Sequence, residues 1–178
     1  YSRYSNLVNM KNAHLLLILI IPLFSNGQNF VPNPSFEDTV YCPTGGSQMG
    51  AVVSWDNPVN QQPGSTTDYY NLCNYSGTNP HNGNAYLGFL GYVNFIPNAR
   101  EYAQTQLTQT LQPNTCYVVE MWAKIGATAG YHVSDLGILL TDTAPEAPNG
   151  TFIPAIPQIN TPTPIDTNWT LIRDTLNN

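Results

Sequence analysis

Cys116-Tyr117-Val118-Val119-Glu120-Met121-Trp122-Ala123-Lys124-Ile125 is the stretch whose reading decides the fold. Taken alternately, Tyr117, Val119, Met121, Ala123 and Ile125 fall on one side; Cys116, Val118, Glu120, Trp122 and Lys124 fall on the other. Successive side chains of a strand point to opposite faces. The first set is therefore the expected core face, and the second, which holds the charges, the outer face.

Working outward, Gln112-Pro113-Asn114-Thr115 reads as the turn that leads into this strand. Upstream, Glu101–Leu111 alternates, with Ala103, Thr105 and Leu107 opposite Gln104, Gln106 and Thr108. Asn84–Val93 reads as a further strand in which Gly88 and Gly91 mark a bulge or a close approach. Ala51–Trp55 reads as another, and Asn29–Phe36 as a short extended segment with Pro32 and Pro34. Downstream, Val133–Thr141 points Leu136, Ile138 and Leu140 inward and Asp135 outward, and Asn168–Leu176 is a last strand with Trp169, Leu171 and Ile172. Three loops separate these runs: 38–50 with Cys42, 56–83 with Asp68-Tyr69-Tyr70-Asn71 and Cys73, and the Pro-rich 142–167. A loop as long as 56–83 is usually functional or tied down. Seven strand candidates separated by turns predict an all-β, antiparallel β-sandwich.

Composition agrees. Only 9% of the 178 residues are charged while 11% are aromatic, with 13 Gly and 15 Pro. Helix-rich chains use more Glu and Lys than this one does. The formal net charge is −6, and removing residues 1–27 takes away Arg3 and Lys11 but no acid. Such a surface repels phosphate backbones, so nucleic acid is not an expected partner.

The first residues read as an address rather than part of the fold. Met10-Lys11-Asn12-Ala13-His14 is a weakly basic start, Leu15–Phe24 an apolar run broken by Pro22, and Ser25-Asn26-Gly27 a polar end before Gln28. This is the three-part pattern of a signal peptide over 10–27, with cleavage expected near Gly27–Gln28. The run is short for a membrane anchor, the rival reading, so no span is expected in the mature chain. Residues 1–9 are expected to be upstream sequence outside the protein proper, leaving 28–178 as one domain. Cys42, Cys73 and Cys116 all lie in the exported part, where a disulfide can persist. Cys42 and Cys73, both in turn-rich loops, are the preferred pair and Cys116 the odd one; spacing alone leaves other pairings open.

Several runs together carry a resemblance. Asn29-Phe30-Val31-Pro32-Asn33-Pro34-Ser35-Phe36-Glu37 looks like the opening of galactose-binding-like jelly rolls, the fold of many carbohydrate-binding modules. Leu111-Gln112-Pro113-Asn114-Thr115-Cys116-Tyr117 through Trp122-Ala123-Lys124 resembles their strand pair, with Asn114 where Gly is usual. The whole is similar to a group of exported proteins of gliding-type Gram-negative bacteria, on the residues Asn33–Glu37, Tyr41-Cys42-Pro43, Asp68–Cys73, Arg100-Glu101-Tyr102, Leu136–Leu140, Pro157-Gln158-Ile159 and Asn168-Trp169. The resemblance implies a jelly roll whose last strands, and an OmpA-like domain or type IX sorting signal, follow Asn178. It also implies a structural Ca²⁺ near Glu37, although Ca²⁺ takes about six to eight oxygens and one Glu cannot suffice.

Site candidates follow from side-chain chemistry. Trp122, between Glu120 and Lys124 on the outer face, offers a flat ring beside hydrogen-bonding groups, which is what a sugar needs. The competing expectation is a Trp covered by a neighbouring loop, since large aromatics are mostly buried. Trp55, Tyr69 and Tyr70 form a second candidate platform. No Gly-x-Ser-x-Gly, phosphate-loop or His-Glu-x-x-His motif is present, so no catalytic residue is assigned. Glu101 and Glu120 lie on adjacent predicted strands, but hydrolysis would need them roughly 5–9.5 Å apart in a cleft, and Arg100 and Lys124 are their nearby salt partners. The expected role is a non-catalytic binding or adhesion module at the cell surface or envelope, with a glycan or surface polymer as ligand. A spacer presenting a further domain, or an accessory to a secreted hydrolase, are the alternatives.

Overall fold

The computed structural model describes residues 27–58, 67–92, 94, 100–127, 129–131, 133, 136–145, 153–161 and 164–177. The signal-peptide reading therefore lies outside the described residues save Gly27, as does the outward placement of Asp135. Among the described residues the protein is all-β, apart from a 3-10 turn at Met49–Ala51. Six strands form three two-stranded antiparallel sheets: β1 (Asp68–Asn71) with β2 (Ala85–Gly88), β3 (Cys116–Ala123) with β6 (Thr170–Asn177), and β4 (Gly137–Ile138) with β5 (Ile159–Asn160). No helix among them is long and apolar enough to cross a membrane.

The decisive strand forms as read. Tyr117, Val119, Met121 and Ala123 are half-buried, while Cys116, Val118, Glu120 and Trp122 are exposed. Its partner places Ile172 opposite Met121 on the inner face, and Leu171 opposite Trp122 and Arg173 opposite Glu120 on the outer one. The turn before β3 puts Asn114 at φ 58°. That left-handed geometry suits Gly, or an Asn that can bond locally, which accounts for the residue found there.

Other runs differ from their sequence reading. Ala51–Trp55 is no strand: it leaves the 3-10 turn, bridges Thr39 through Val52, and stops at Ser54, whose φ is 68°. Glu101–Leu111 is extended but joins no continuous partner. Its backbone bonds in turn to Leu90, Asp56 and Phe30, on three different segments. Asn84–Val93 contributes only Ala85–Gly88. A Cβ at Gly88 would stand 2.7 Å from the Tyr70 ring, so the expected close approach is real. Both β1 and β5 lie in stretches read as loops. In β1 the buried positions are Tyr69 and Asn71, and the Asn71 amide donates to the Tyr69 hydroxyl at 2.8 Å. A polar residue satisfied in this way can occupy a core position, which hides the strand from any hydrophobic pattern.

The main core gathers Ala51, Val52, Tyr69 and Ala85, with Phe36, Trp55 and Leu87 packed against them. Asn33-Pro34-Ser35-Phe36-Glu37 is the knot that holds this lobe. The Asn33 amide donates to Asp38 O (2.9 Å) and Val53 O (3.0 Å), and Asn33 O accepts from the Trp55 indole at 3.0 Å. Glu37 Oε1 accepts the backbone N–H of Asn84 (2.6 Å) and of Ala85 (3.0 Å), clamping the entry to β2. The Cys42–Cys73 disulfide ties the same lobe from its far side, and Cys116 is free and exposed.

Candidate functional site

The outer face of the β3–β6 ribbon carries the aromatic site. Trp122 keeps 47% of its surface exposed, although its size would favour burial. Strand alternation holds it there: the inner positions on either side, Met121 and Ala123, fill the other face, so Trp122 must point outward. Its indole stacks on His81, with centroids 4.0 Å apart and planes 15° from parallel. His81 also meets the Trp169 ring edge-on at 5.6 Å, just ahead of β6. Lys124 Nζ lies 4.7 Å over that Trp169 ring and donates to Asn79 O at 3.1 Å. One rung along the ribbon, Arg173 Nε bonds Glu120 Oε1 at 3.1 Å.

His81 and Asn79 belong to the segment between β1 and β2, which is fixed at both ends. Cys73 is held by the disulfide and Asn84 by Glu37. Between those anchors, the Tyr86 hydroxyl accepts the N–H groups of Gly77 (3.1 Å) and Thr78 (2.6 Å). The imidazole that braces Trp122 is thus delivered by a loop anchored in the other lobe.

The first candidate set is brought together: Trp122, Glu120 and Lys124 share this face, and Lys124 reaches Trp169. Glu120, however, pairs with Arg173 across the strands rather than with Lys124. Lys124 instead takes a cation–π contact, of the kind worth about 0.5–1 kcal/mol at exposed sites. The expectation of a covering loop is met in part, since His81 lies against the indole and much of Trp122 stays in solvent.

The second candidate platform is drawn largely into packing contacts. Tyr69 is fully buried, its hydroxyl donating to Phe36 O at 2.9 Å. Trp55 packs on Phe36, centroids 5.0 Å apart, and its N–H is taken by Asn33. Tyr70 is half-buried and stacks near-parallel with both Tyr75 (5.0 Å) and Tyr86 (4.8 Å). Burial, reinforced by the Asp68 carboxylate that accepts from it, raises the Tyr70 hydroxyl pKa above the usual tyrosine range.

The surroundings of Glu37 do not suit Ca²⁺. Its carboxylate faces three N–H donors, whose positive ends would repel a cation. Among the described residues no group of three His, Cys, Asp or Glu side chains could hold a metal. The two carboxylates read as neighbours take different partners: Glu120 pairs with Arg173, whereas Glu101 accepts the Leu90 N–H at 2.7 Å. Burial pushes the Glu101 carboxyl up to about 7, against the lowering pull of that N–H and with help from the Asp68 charge. A shallow depression of about 410 Å³ lies elsewhere, lined by Pro32, Ser54, Gln106, Leu107 and Thr108, none of them ionisable.

Nothing in the local sequence singles out His81, and Trp169 reads only as part of a strand. No local spacing announces either partner, since each lies on a separate segment from Trp122. No protein-family model, curated protein or solved structure matches this chain.

Proposed function

We propose that this protein is an exported, non-catalytic binding module of jelly-roll type that holds a glycan or similar surface polymer on the Trp122 face, at the cell surface or envelope. Its all-β, antiparallel build and the resemblance of its opening and Leu111–Lys124 runs to carbohydrate-binding modules support the architecture. The observation that carries the function is the Trp122 indole itself, 47% exposed and braced by His81. A pyranose presents a patch of C–H groups to such a ring, and Glu120, Arg173 and Lys124 supply the directional polar contacts around it. Bracing matters because a ring already held in place loses little rotamer freedom on binding.

Calorimetric titration with a panel of polysaccharides tests this reading. Heat that disappears in Trp122→Ala, while Trp55→Phe at the half-buried position in the lobe retains it, is the expected result. The absence of heat with every polysaccharide would overturn it in favour of a spacer with no ligand of its own.

A further inference from the structure

Charge is scarce in this chain and unevenly placed. It has five Lys and Arg against eleven Asp and Glu. Two of those five, Lys124 and Arg173, stand at the Trp122 face, and Glu120 is the acid beside them. Neither cation is locked into a closed pair. Arg173 meets Glu120 through Nε, and its side chain stays 61% exposed against 49% for Glu120, so the planar guanidinium fork is not enclosed. That fork matches a carboxylate in two parallel bonds. Lys124 gives one of its three N–H donors to Asn79 O and lies over Trp169, leaving further donors available.

We infer that the polymer is acidic: a glycan bearing uronic acid residues, one of whose rings stacks on Trp122 while its carboxylates are held by Arg173 and Lys124. This rests on reading Trp122 as a glycan platform. Neutral hydroxyls can be met by uncharged side chains, whereas a carboxylate is met most strongly by a cation, and two of the chain's five cations stand beside one exposed indole. The opposing net charge of the chain acts weakly here. Charges are screened over about 8 Å at physiological ionic strength, whereas these two groups would touch the ligand.

The test compares short oligogalacturonates with neutral oligosaccharides of the same length, and with a single-stranded oligonucleotide, at physiological salt. The intact protein should bind the uronate probe at least tenfold more tightly than the neutral one. Lys124→Gln and Arg173→Gln should each cost about tenfold or more in uronate affinity, as the loss of a charged hydrogen bond does. Arg173→Lys should fall between, because it keeps the charge but not the fork. Far-UV circular dichroism confirms that each variant is folded. Neutral sugars bound as well as uronates, through Trp122, would overturn the acidic ligand and leave the glycan module standing. Tighter Trp122-dependent binding of the oligonucleotide would overturn it in favour of single-stranded nucleic acid. Binding of none of the probes, in a protein that also gives no heat with the polysaccharide panel, would remove both.

Discussion

In the lobe around β1 and β2, Tyr69 is wholly enclosed and its hydroxyl bonds to Phe36 and Asn71. On the β3–β6 ribbon Trp122, also a large aromatic on a strand, leaves nearly half its surface in water. The lobe has four-residue strands and the ribbon eight-residue ones, so regularity of pairing does not separate them in the direction expected. Enclosure does. The lobe surrounds its side chains with the Asn33–Glu37 knot, the disulfide and the tyrosine stack, while one face of the ribbon stays open. Burial on all sides favours stability; an ordered side chain with free surface favours recognition.

The largest expected effect falls inside the lobe. Tyr69→Ala should lower unfolding stability by about 3–5 kcal/mol, the usual cost of deleting a buried aromatic, as measured by urea denaturation. A loss below about 1 kcal/mol would mean that the lobe is not the stable core. Next, Glu37→Ala removes the acceptor shared by Asn84 and Ala85 and should cost about 1–3 kcal/mol. Because that clamp also fixes the loop bearing His81, the same variant should weaken ligand binding at the ribbon, which links the two regions and can be read by calorimetry.

A smaller effect concerns pH. Glu101 in the folded protein titrates near 7, above its ordinary 4.5. Between those values the folded state holds the proton that the unfolded chain releases, so this group's contribution falls as pH rises and levels off above about 7. Thermal melting from pH 5 to 8 should therefore show a downward component that Glu101→Gln removes. An unchanged slope would show that the carboxyl is not buried as described. Least of all, Trp122→Ala should change stability by under about 1 kcal/mol, because the deleted ring is partly solvated. Loss comparable to Tyr69→Ala would break the contrast and make Trp122 a core residue.

The open face of the ribbon was legible in residues 116–125 because alternation is a local property that any strand must express. The disulfide partners were legible in part, from their turn-rich surroundings, although spacing admitted other pairs. What escaped was polar burial. Asp68-Tyr69-Tyr70-Asn71 reads as a loop until one sees that Asn71 and Tyr69 satisfy each other, and Trp55 reads as a platform until Asn33 takes its N–H. Glu37 reads as a cation ligand, but its neighbours across the fold are donors.

The sequence by itself determined that the described residues are all-β and that Trp122, Glu120 and Lys124 share one face, since side-chain period follows from backbone geometry. Only the tertiary structure decided that His81 braces Trp122, that Arg173 rather than Lys124 answers Glu120, and that Tyr69 is enclosed while Tyr70 and Trp55 pack half-buried against their neighbours. Those outcomes depend on which distant segments meet, and no short-range pattern encodes such meetings. The first is set by the loop that the disulfide and Glu37 hold, the second by the β3–β6 register, and the third by contacts within the β1–β2 lobe.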